Sequence, residues 1–233
     1  MFQQNNLLLA EDFRRAIIQA LLATGVFAIG GYFGAGPLIV FLQRLTGAKL
    51  VAYGLPDTVF AFLKIALAIG AAVAMPYTFF RILAILPKRY PSFSSNLLIT
   101  FWSASVLLFG LGIIFCLKVT LPYGVQFLLS FEDPGIVALI SIKEFVSFCL
   151  WLFFGFGLLF ELPLIMVMLS RIGVLNRKKV QGWRRYAFLA ITVISAIITP
   201  TPDIFNMLLM AVPLYLLFEI GLLGMRFWEK SQN

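Results

Sequence analysis

Histidine is missing from this chain, and cysteine is nearly missing. None of the 233 residues is a histidine, and the two cysteines are Cys116 and Cys149. Without histidine, the Ser–His and Cys–His nucleophile pairs and the usual zinc and haem ligand sets cannot be assembled. Both cysteines lie in apolar runs, where a cysteine is most often a small apolar side chain. We therefore predict no metal site and no cofactor, and the sequence leaves open whether the cysteines lie close together.

Charge is also scarce, and this scarcity decides the class of protein. Charged residues make up 12% of the chain and hydrophobic residues 61%, with a mean hydropathy of +0.99. Too little polar surface remains to cover a water-soluble domain of this length. We therefore predict an all-α, multi-pass integral membrane protein with a single membrane domain over residues 1–233.

Six apolar runs are candidates for transmembrane helices. A helix needs about 20 apolar residues to cross a hydrocarbon core of ~30 Å. The fifth run is short and covers only ~20 Å at ~1.5 Å per residue, so we expect a locally thinner bilayer or polar flanks in the membrane. Long outer loops are predicted over residues 37–57 and 121–141. The predicted spans are residues 16–33, 59–82, 97–119, 142–169, 186–198 and 204–224.

Lysine and arginine predict the orientation of these spans. Thirteen of the 18 fall on one side of a six-span arrangement, including Arg14 and Arg15 before the first span. Because basic loops remain on the cytoplasmic side, we expect both termini in the cytoplasm, or in the stroma or matrix of an organelle. We interpret Arg14 and Arg15 as flanking charge rather than as part of a cleaved signal. The net charge of +8 is then explained mostly by topology, with some attraction to anionic lipid. We expect no nucleic-acid partner.

Three acidic residues stand in the apolar second half, each within six residues of a proline. They are Glu161, Asp203 and Glu219. An ionised group is costly inside a bilayer and a proline removes one backbone donor, so such helices must meet neighbouring helices or a water-filled recess. Pro76 should kink the second span and open a concave face. The prolines expected to shape the helices are Pro37, Pro76, Pro163, Pro202 and Pro213.

Four motifs of the second half follow one another in a distinctive order and spacing: residues 158–163 (LLFELP), 184–186 (RRY), 198–205 (ITPTPDIF) and 211–221 (AVPLYLLFEIG). Together they closely resemble the TatC family, the multi-spanning core of the twin-arginine protein translocase. The first half resembles the family in outline only, at residues 36–38, 55–57, 60–64, 75–76 and 121–122.

The resemblance implies a fold and a function. The fold is a concave, cup-like scaffold of six helices with both termini in the cytoplasm. The function is to bind the twin-arginine signal peptide of folded cargo and to gather TatA- and TatB-type partners within an oligomeric complex, driven by the proton-motive force. Such a protein is not an enzyme, and it would reside in a bacterial inner membrane or in a thylakoid or mitochondrial inner membrane.

The anionic signal-peptide site of the family is only partly present. The family's N-terminal glutamate and the arginine two positions later correspond to Asp12 and Arg14, with Glu11 one step earlier. The family's second acid lies in the first cytoplasmic loop, but here this loop carries Arg81, Lys88 and Arg89, and no acid occurs between Asp57 and Glu132. Because such a loop repels an arginine pair, we expect Glu11 and Asp12 to form the anionic site together, or recognition to be weaker.

The acids of the second half are the expected partner contacts. By resemblance and by energetic cost, Glu161 is a functional acid in a concave, lipid-facing recess; its alternative role is a structural contact across the bundle. Asp203 fits an N-cap of the sixth span, and Asn206 stands where many family members carry glutamine. Glu219 is expected to form a salt bridge with Arg226 or with an arginine of the inner loop.

Two other functions compete with this interpretation. Buried acids and kinked helices also describe an ion- or proton-coupled secondary transporter, although the matching broken helices of an inverted repeat are missing. The second competitor is a divergent TatC-like scaffold that binds partners but reads no signal peptide, and the missing loop acid supports it.

Overall fold

The structure is a computed structural model, and it describes residues 2–84, 95–130, 139–198 and 204–230. Helices dominate, as the sequence predicts. The elements, in chain order, are α1 (Phe2–Thr46), β1 (Leu50–Val51), α2 (Leu55–Leu83), α3 (Ser95–Phe115), a π-helical segment (Cys116–Thr120), α4 (Leu121–Leu129), β2 (Ile140–Ser141), α5 (Ile142–Phe160), α6 (Leu162–Arg171), α7 (Arg177–Gly182), α8 (Arg184–Ile198) and α9 (Ile204–Lys230).

The chain divides into two compact units. Unit 1 contains Met1–Leu45, Lys49–Val106 and Leu139–Leu150, and unit 2 contains Thr46–Ala48, Leu107–Ala138 and Trp151–Asn233. The single domain expected from the sequence stays a prediction, and each unit is described by itself.

In unit 1, α1 and α2 pack closely through small side chains. A Cβ atom on Gly70 of α2 would meet the backbone of α1, at 2.8 Å from the amide nitrogen of Ala28. About two turns away, Ala35 of α1 and Ala61 of α2 are completely buried in a cluster with Val146 of α5. Such close approach of two helices is the usual means of association inside a membrane, where apolar burial gives no driving force.

The first helix is much longer than the sequence predicts. It continues through Pro37 to Thr46, so the outer loop predicted to begin at Pro37 is wrong over its first ten residues. Proline is tolerated inside transmembrane helices because neighbouring groups satisfy the freed backbone carbonyl. After the helix, Leu50 pairs in parallel with Ile140, and the Tyr53 hydroxyl donates to the carbonyl oxygen of Leu139 at 2.8 Å.

A polar contact crosses unit 1 within the apolar spans. The Lys64 ammonium group on α2 donates to the Ser147 hydroxyl oxygen on α5 at 2.5 Å. Ser147 in turn donates to the carbonyl oxygen of Lys143 at 2.7 Å. The half-buried lysine therefore has a hydrogen-bonding partner in a place where charge is costly.

In unit 2, the helix that begins as α3 widens before it ends. The Leu121 amide donates to the Cys116 carbonyl, five residues earlier, which makes Cys116–Thr120 a π-helical segment. Its Thr120 hydroxyl lies 3.6 Å from the Met210 sulfur of α9. The outer loop predicted over residues 121–141 is therefore wrong at its start, where α4 occupies Leu121–Leu129.

The core of unit 2 forms where α6, α8 and α9 meet. Leu214, Phe218 and Met225 of α9 are buried there. A Cβ on Gly221 would lie 2.6 Å from the Met166 sulfur and 3.2 Å from Cα of Pro163, so glycine lets α9 approach α6. Pro163 itself is buried in the first turn of α6, a position where proline costs no hydrogen bond.

The all-α, multi-pass fold class is confirmed. Within the described residues, five helical segments are long and apolar enough to cross a bilayer: Arg14–Thr46, Pro56–Leu83, Asn96–Phe127, Ile142–Arg171 and Met210–Phe227. The remaining predicted span corresponds to α8, which has only 15 residues. It is as short as the sequence indicates, and the count of six spans stays a prediction.

Candidate functional site

The N-terminal acids lie on the extension of α1 that precedes the first apolar run. The side chains of Glu11 and Arg14 are exposed there. Asp12 belongs to the same helix, and its side chain lies outside the described residues. An exposed carboxylate beside the membrane is open to a cationic ligand, which can bind it by charge-assisted hydrogen bonds.

The basic residues expected near this site are only partly described. Arg81 lies in the last turn of α2 and is exposed. Lys88 and Arg89 fall outside the described residues, as do Asp203 and Pro202 before α9. Asn206 belongs to α9, but its side chain is also outside the described part.

Glu161 lies at the junction of α5 and α6. It has helical backbone angles (φ −72°, ψ −13°), so the chain continues from one helix directly into the next. Its side chain is only 3% exposed. The protein therefore buries this acid, and the concave, lipid-facing recess expected around it stays a prediction.

Glu219 forms the ion pair that the sequence predicts, and it does so with an arginine of the inner loop rather than with Arg226. The Arg184 Nη2 atom at the start of α8 donates to Glu219 Oε2 at 2.7 Å. The Tyr215 hydroxyl donates to the other carboxylate oxygen at 3.1 Å. These three residues, Arg184, Tyr215 and Glu219, are named the Glu219 cluster below.

The cluster joins two of the sequence motifs, and Tyr215 is the member that the sequence analysis missed. Tyr215 precedes Glu219 by four residues on one helix, and residues at this spacing face each other; that spacing was the available signal. Beside the cluster, the side chains of Trp183 and Tyr186 are exposed. They line an apolar groove of about 390 Å³ together with Phe218.

The other prolines take structural positions. Pro37, Pro76 and Pro213 lie inside α1, α2 and α9 respectively, and each helix continues past its proline. The carbonyl oxygen of Pro76 accepts a hydrogen bond from the Trp102 indole nitrogen of α3 at 2.8 Å. Among the described residues, no group of three or more histidine, cysteine or acidic side chains is arranged to hold a metal ion.

Comparison with protein families identifies the chain. The family model described as "Sec-independent protein translocase protein (TatC)" matches residues 9–213. The chain belongs to the TatC family. The matched range includes both the N-terminal acids and the Glu161 region.

Individual relatives support the same conclusion over nearly the whole chain. TatCy of Bacillus subtilis is 32% identical over 216 residues, covering 91% of this chain and 85% of that protein. TatC of Deinococcus radiodurans is 34% identical over 222 residues, covering 91% of this chain and 82% of that protein. TatC of Desulforapulum autotrophicum is 31% identical over 231 residues, with 95% and 84% covered.

Solved structures agree in fold. Two crystal structures of the twin-arginine translocase receptor TatC match with TM-scores of 0.78 and 0.80, at 26% and 28% identity. They cover 94% and 92% of this chain, and 98% of each solved chain is matched. This TatC chain is thus an integral membrane subunit of the Sec-independent protein translocase, and its bacterial relatives favour a bacterial inner membrane.

Proposed function

We propose that this TatC protein is the membrane receptor and core subunit that binds twin-arginine signal peptides and recruits TatA- and TatB-type partners. The observation that carries the proposal is the exposed Glu11 on the N-terminal extension of α1, within the range that the family model matches. The two solved relatives are described as twin-arginine translocase receptors, which supports the same role here.

The chemistry of the signal explains why the acids matter. Two guanidinium groups are best bound by carboxylates, and each charge-assisted hydrogen bond contributes ~1.5–3 kcal/mol. Because no acid occurs between Asp57 and Glu132, the first inner loop has no carboxylate to offer. Glu11 and Asp12 together therefore supply the anionic site in this proposal, and Arg14, Arg81, Lys88 and Arg89 border it and limit how the signal enters.

Orientation is part of the proposal. The basic residues around α1, α2 and the α6–α8 region support a placement of both termini in the cytoplasm. A cytoplasmic N-terminus is required, because the signal peptide approaches the membrane from that side.

Site-specific crosslinking tests signal-peptide binding. A photoreactive residue beside the arginine pair of a signal peptide should crosslink to the N-terminal region of this TatC protein in membranes. The double variant Glu11→Ala, Asp12→Ala should lose most of the product. Glu144→Ala, which removes an exposed acid from the start of α5, is the matched control and should crosslink normally. Equal crosslinking in the double variant and in the wild type would refute the proposed site.

Partner recruitment is assigned to the Glu219 cluster and its surroundings. Glu219 is 26% exposed and Arg184 47% exposed, so a partner can reach both charges. The exposed rings of Trp183 and Tyr186 add apolar contact area beside them. Asp203 and Asn206, which precede Glu219 by 16 and 13 residues in the sequence, remain separate proposed polar contacts.

Glu161 takes a different part in the proposal. Because its carboxylate is enclosed by the protein, we assign it the support of the α5–α6 junction, and contact with a partner would require that region to open. If Glu161→Gln and Glu161→Ala chains assemble with TatA- and TatB-type partners and export cargo at wild-type rates, the carboxylate is needed for neither role.

A further inference from the structure

A large apolar groove lies between three helices of unit 1. Its volume is about 820 Å³, within the ~300–1,000 Å³ typical of ligand sites. Ala23 and Phe27 of α1, Val73 and Phe80 of α2, and Ile99 and Trp102 of α3 line it.

The polar atoms that line the groove form hydrogen bonds with other groups of the protein. The Trp102 indole nitrogen donates to the Pro76 carbonyl oxygen. The Tyr77 hydroxyl donates to Gln19 Oε1 at 3.4 Å. The walls therefore offer a ligand mainly apolar surface, which suits a hydrocarbon chain and leaves no recognition site for a polar one.

One end of the groove is positively charged. Residues four apart share a helix face, so Arg15 lies one turn before Gln19 on α1, and Arg81 lies one turn after Tyr77 on α2. Because Gln19 and Tyr77 touch, the two arginines emerge at the same end of the groove. Both arginines are exposed.

The dimensions match one leaflet of a bilayer. Arg81 and Val73 are eight residues apart, roughly 12 Å along α2, and Arg15 and Phe27 are roughly 18 Å apart along α1. Half of a hydrocarbon core is about 15 Å thick. An acyl chain lying along the groove would therefore bring its headgroup to the two arginines.

We propose that this groove binds an acyl chain of an anionic glycerophospholipid and that Arg15 and Arg81 bind its phosphate. Basic sites between transmembrane helices are suited to anionic headgroups. The hydrophobic segment of a signal peptide, the other apolar candidate, offers these two arginines no anion, whereas an anionic phospholipid does. Glu11, the nearest described acid on α1, lies one further turn away from the groove.

Lipid retention measures headgroup recognition. The full chain, purified in detergent with a mixture of phosphatidylglycerol and phosphatidylcholine, should retain phosphatidylglycerol preferentially by native mass spectrometry. Arg15→Gln, Arg81→Gln should lower that retention at least fivefold, to the level of phosphatidylcholine. The matched control is Lys178→Gln, Arg226→Gln, which removes two exposed charges from unit 2 and should keep the preference. Unchanged retention in the first double variant overturns the proposal.

A second experiment, photo-crosslinking from within the groove, locates the lipid and would detect any other occupant. A photoreactive phenylalanine analogue in place of Phe27 should give mainly adducts with the mass of an anionic phospholipid in native membranes, whereas the analogue in place of Leu21, which is 67% exposed and two residues away from the groove-lining Ala23, should label bulk lipid without a headgroup preference. Adducts at Phe27 with a signal peptide or with a protein partner, and none with lipid, overturn the proposal. So does a lipid adduct at Phe27 that forms equally with anionic and with zwitterionic phospholipids.

Discussion

At the scale of single residues, the Glu219 cluster is the best-defined polar contact of unit 2, and its exposure limits its energy. With Arg184 47% and Glu219 26% exposed, the protein does not enclose the pair, so its geometry matters more for docking than for stability. Each side chain remains available to a partner that offers a better-placed opposite charge.

A double-mutant cycle measures this contact. We expect Arg184→Gln and Glu219→Gln to be coupled by ~0.2–1 kcal/mol in the free energy of unfolding, measured in detergent micelles, and the coupling to shrink in high salt. Arg185 is the matched neighbour, because its guanidinium lies over the Tyr186 ring, 4.9 Å from the centroid. Arg185→Gln should be additive with Glu219→Gln, and strong coupling there would contradict the assigned pairing.

The contact between Lys64 and Ser147 predicts both the direction and the size of changes in the free energy of unfolding. Ser147→Ala removes the acceptor of a half-buried ammonium group, which should lower the free energy of unfolding by ~1–3 kcal/mol. Adding Lys64→Met removes the charge as well, so the double variant should recover most of the loss. The control is Ser103→Ala, an exposed serine that donates within its own helix. A double variant less stable than Ser147→Ala would show that the lysine contributes by another contact.

Residue-scale prediction from sequence was accurate where the reason was local. The ion pair of Glu219 follows from the cost of an isolated acid in an apolar helix, and the structure supplies the arginine. The choice of Arg184 over Arg226, and the enclosure of Glu161, depend on how α6, α8 and α9 pack. Composition and spacing hold no information on that packing.

At the scale of helices, Gly70 marks the closest approach of α1 and α2. Gly70→Ala places a methyl group against the α1 backbone and should destabilise the protein by ~1–3 kcal/mol, read as a lower midpoint of thermal unfolding in micelles. Gly30→Ala is the control, since a Cβ there meets nothing within 4 Å. Equal midpoints for the two variants would show that α1 and α2 can move apart at Gly70 without loss of stability.

Helix α8 should distort the membrane around it. Its 15 residues span only ~22 Å, so a bilayer with a core of ~30 Å must thin or admit water there. A spin label at Ile197, which is 73% exposed, should stay accessible to a water-soluble relaxing agent as lipid acyl chains lengthen, because the bilayer thins or admits water around the short helix. A label at Leu111 of α3, in the middle of a long span, should stay inaccessible. Loss of that accessibility in thick bilayers would argue against local thinning around α8.

The sequence did not predict correctly where the helices end. The sequence places Gly34, Gly36 and Pro37 after the first span, and these residues usually end helices. In the structure, Ala35 and Ile39 are buried against α2 and hold α1 in register beyond the proline. A Cβ atom at Gly34 or Gly36 would come no closer than 3.6 Å to α2 side chains, so the burial of Ala35 and Ile39, rather than the glycines, extends the helix. This tertiary effect is invisible to a local pattern.

At the scale of the whole molecule, the open question is whether a TatC chain without the first-loop acid still reads signal peptides. We expect expression of this chain in a strain lacking TatC to restore export of a folded reporter that carries a twin-arginine signal. The same reporter with a lysine pair in place of the arginines is the control and should be exported far less. Restored partner assembly without any export would favour the divergent scaffold that reads no signal.

The π-helical segment at Cys116–Thr120 contains one residue more than a regular α-helical turn. The Leu121 amide donates to the carbonyl five residues earlier instead of four, so the additional residue widens the turn. Deleting one residue between Cys116 and Thr120 would leave an ordinary α-helical turn and keep the flanking helices in phase. The same deletion in the regular part of α3 would rotate everything beyond it by ~100°. Length variation among related chains is therefore best tolerated at this one turn of the span.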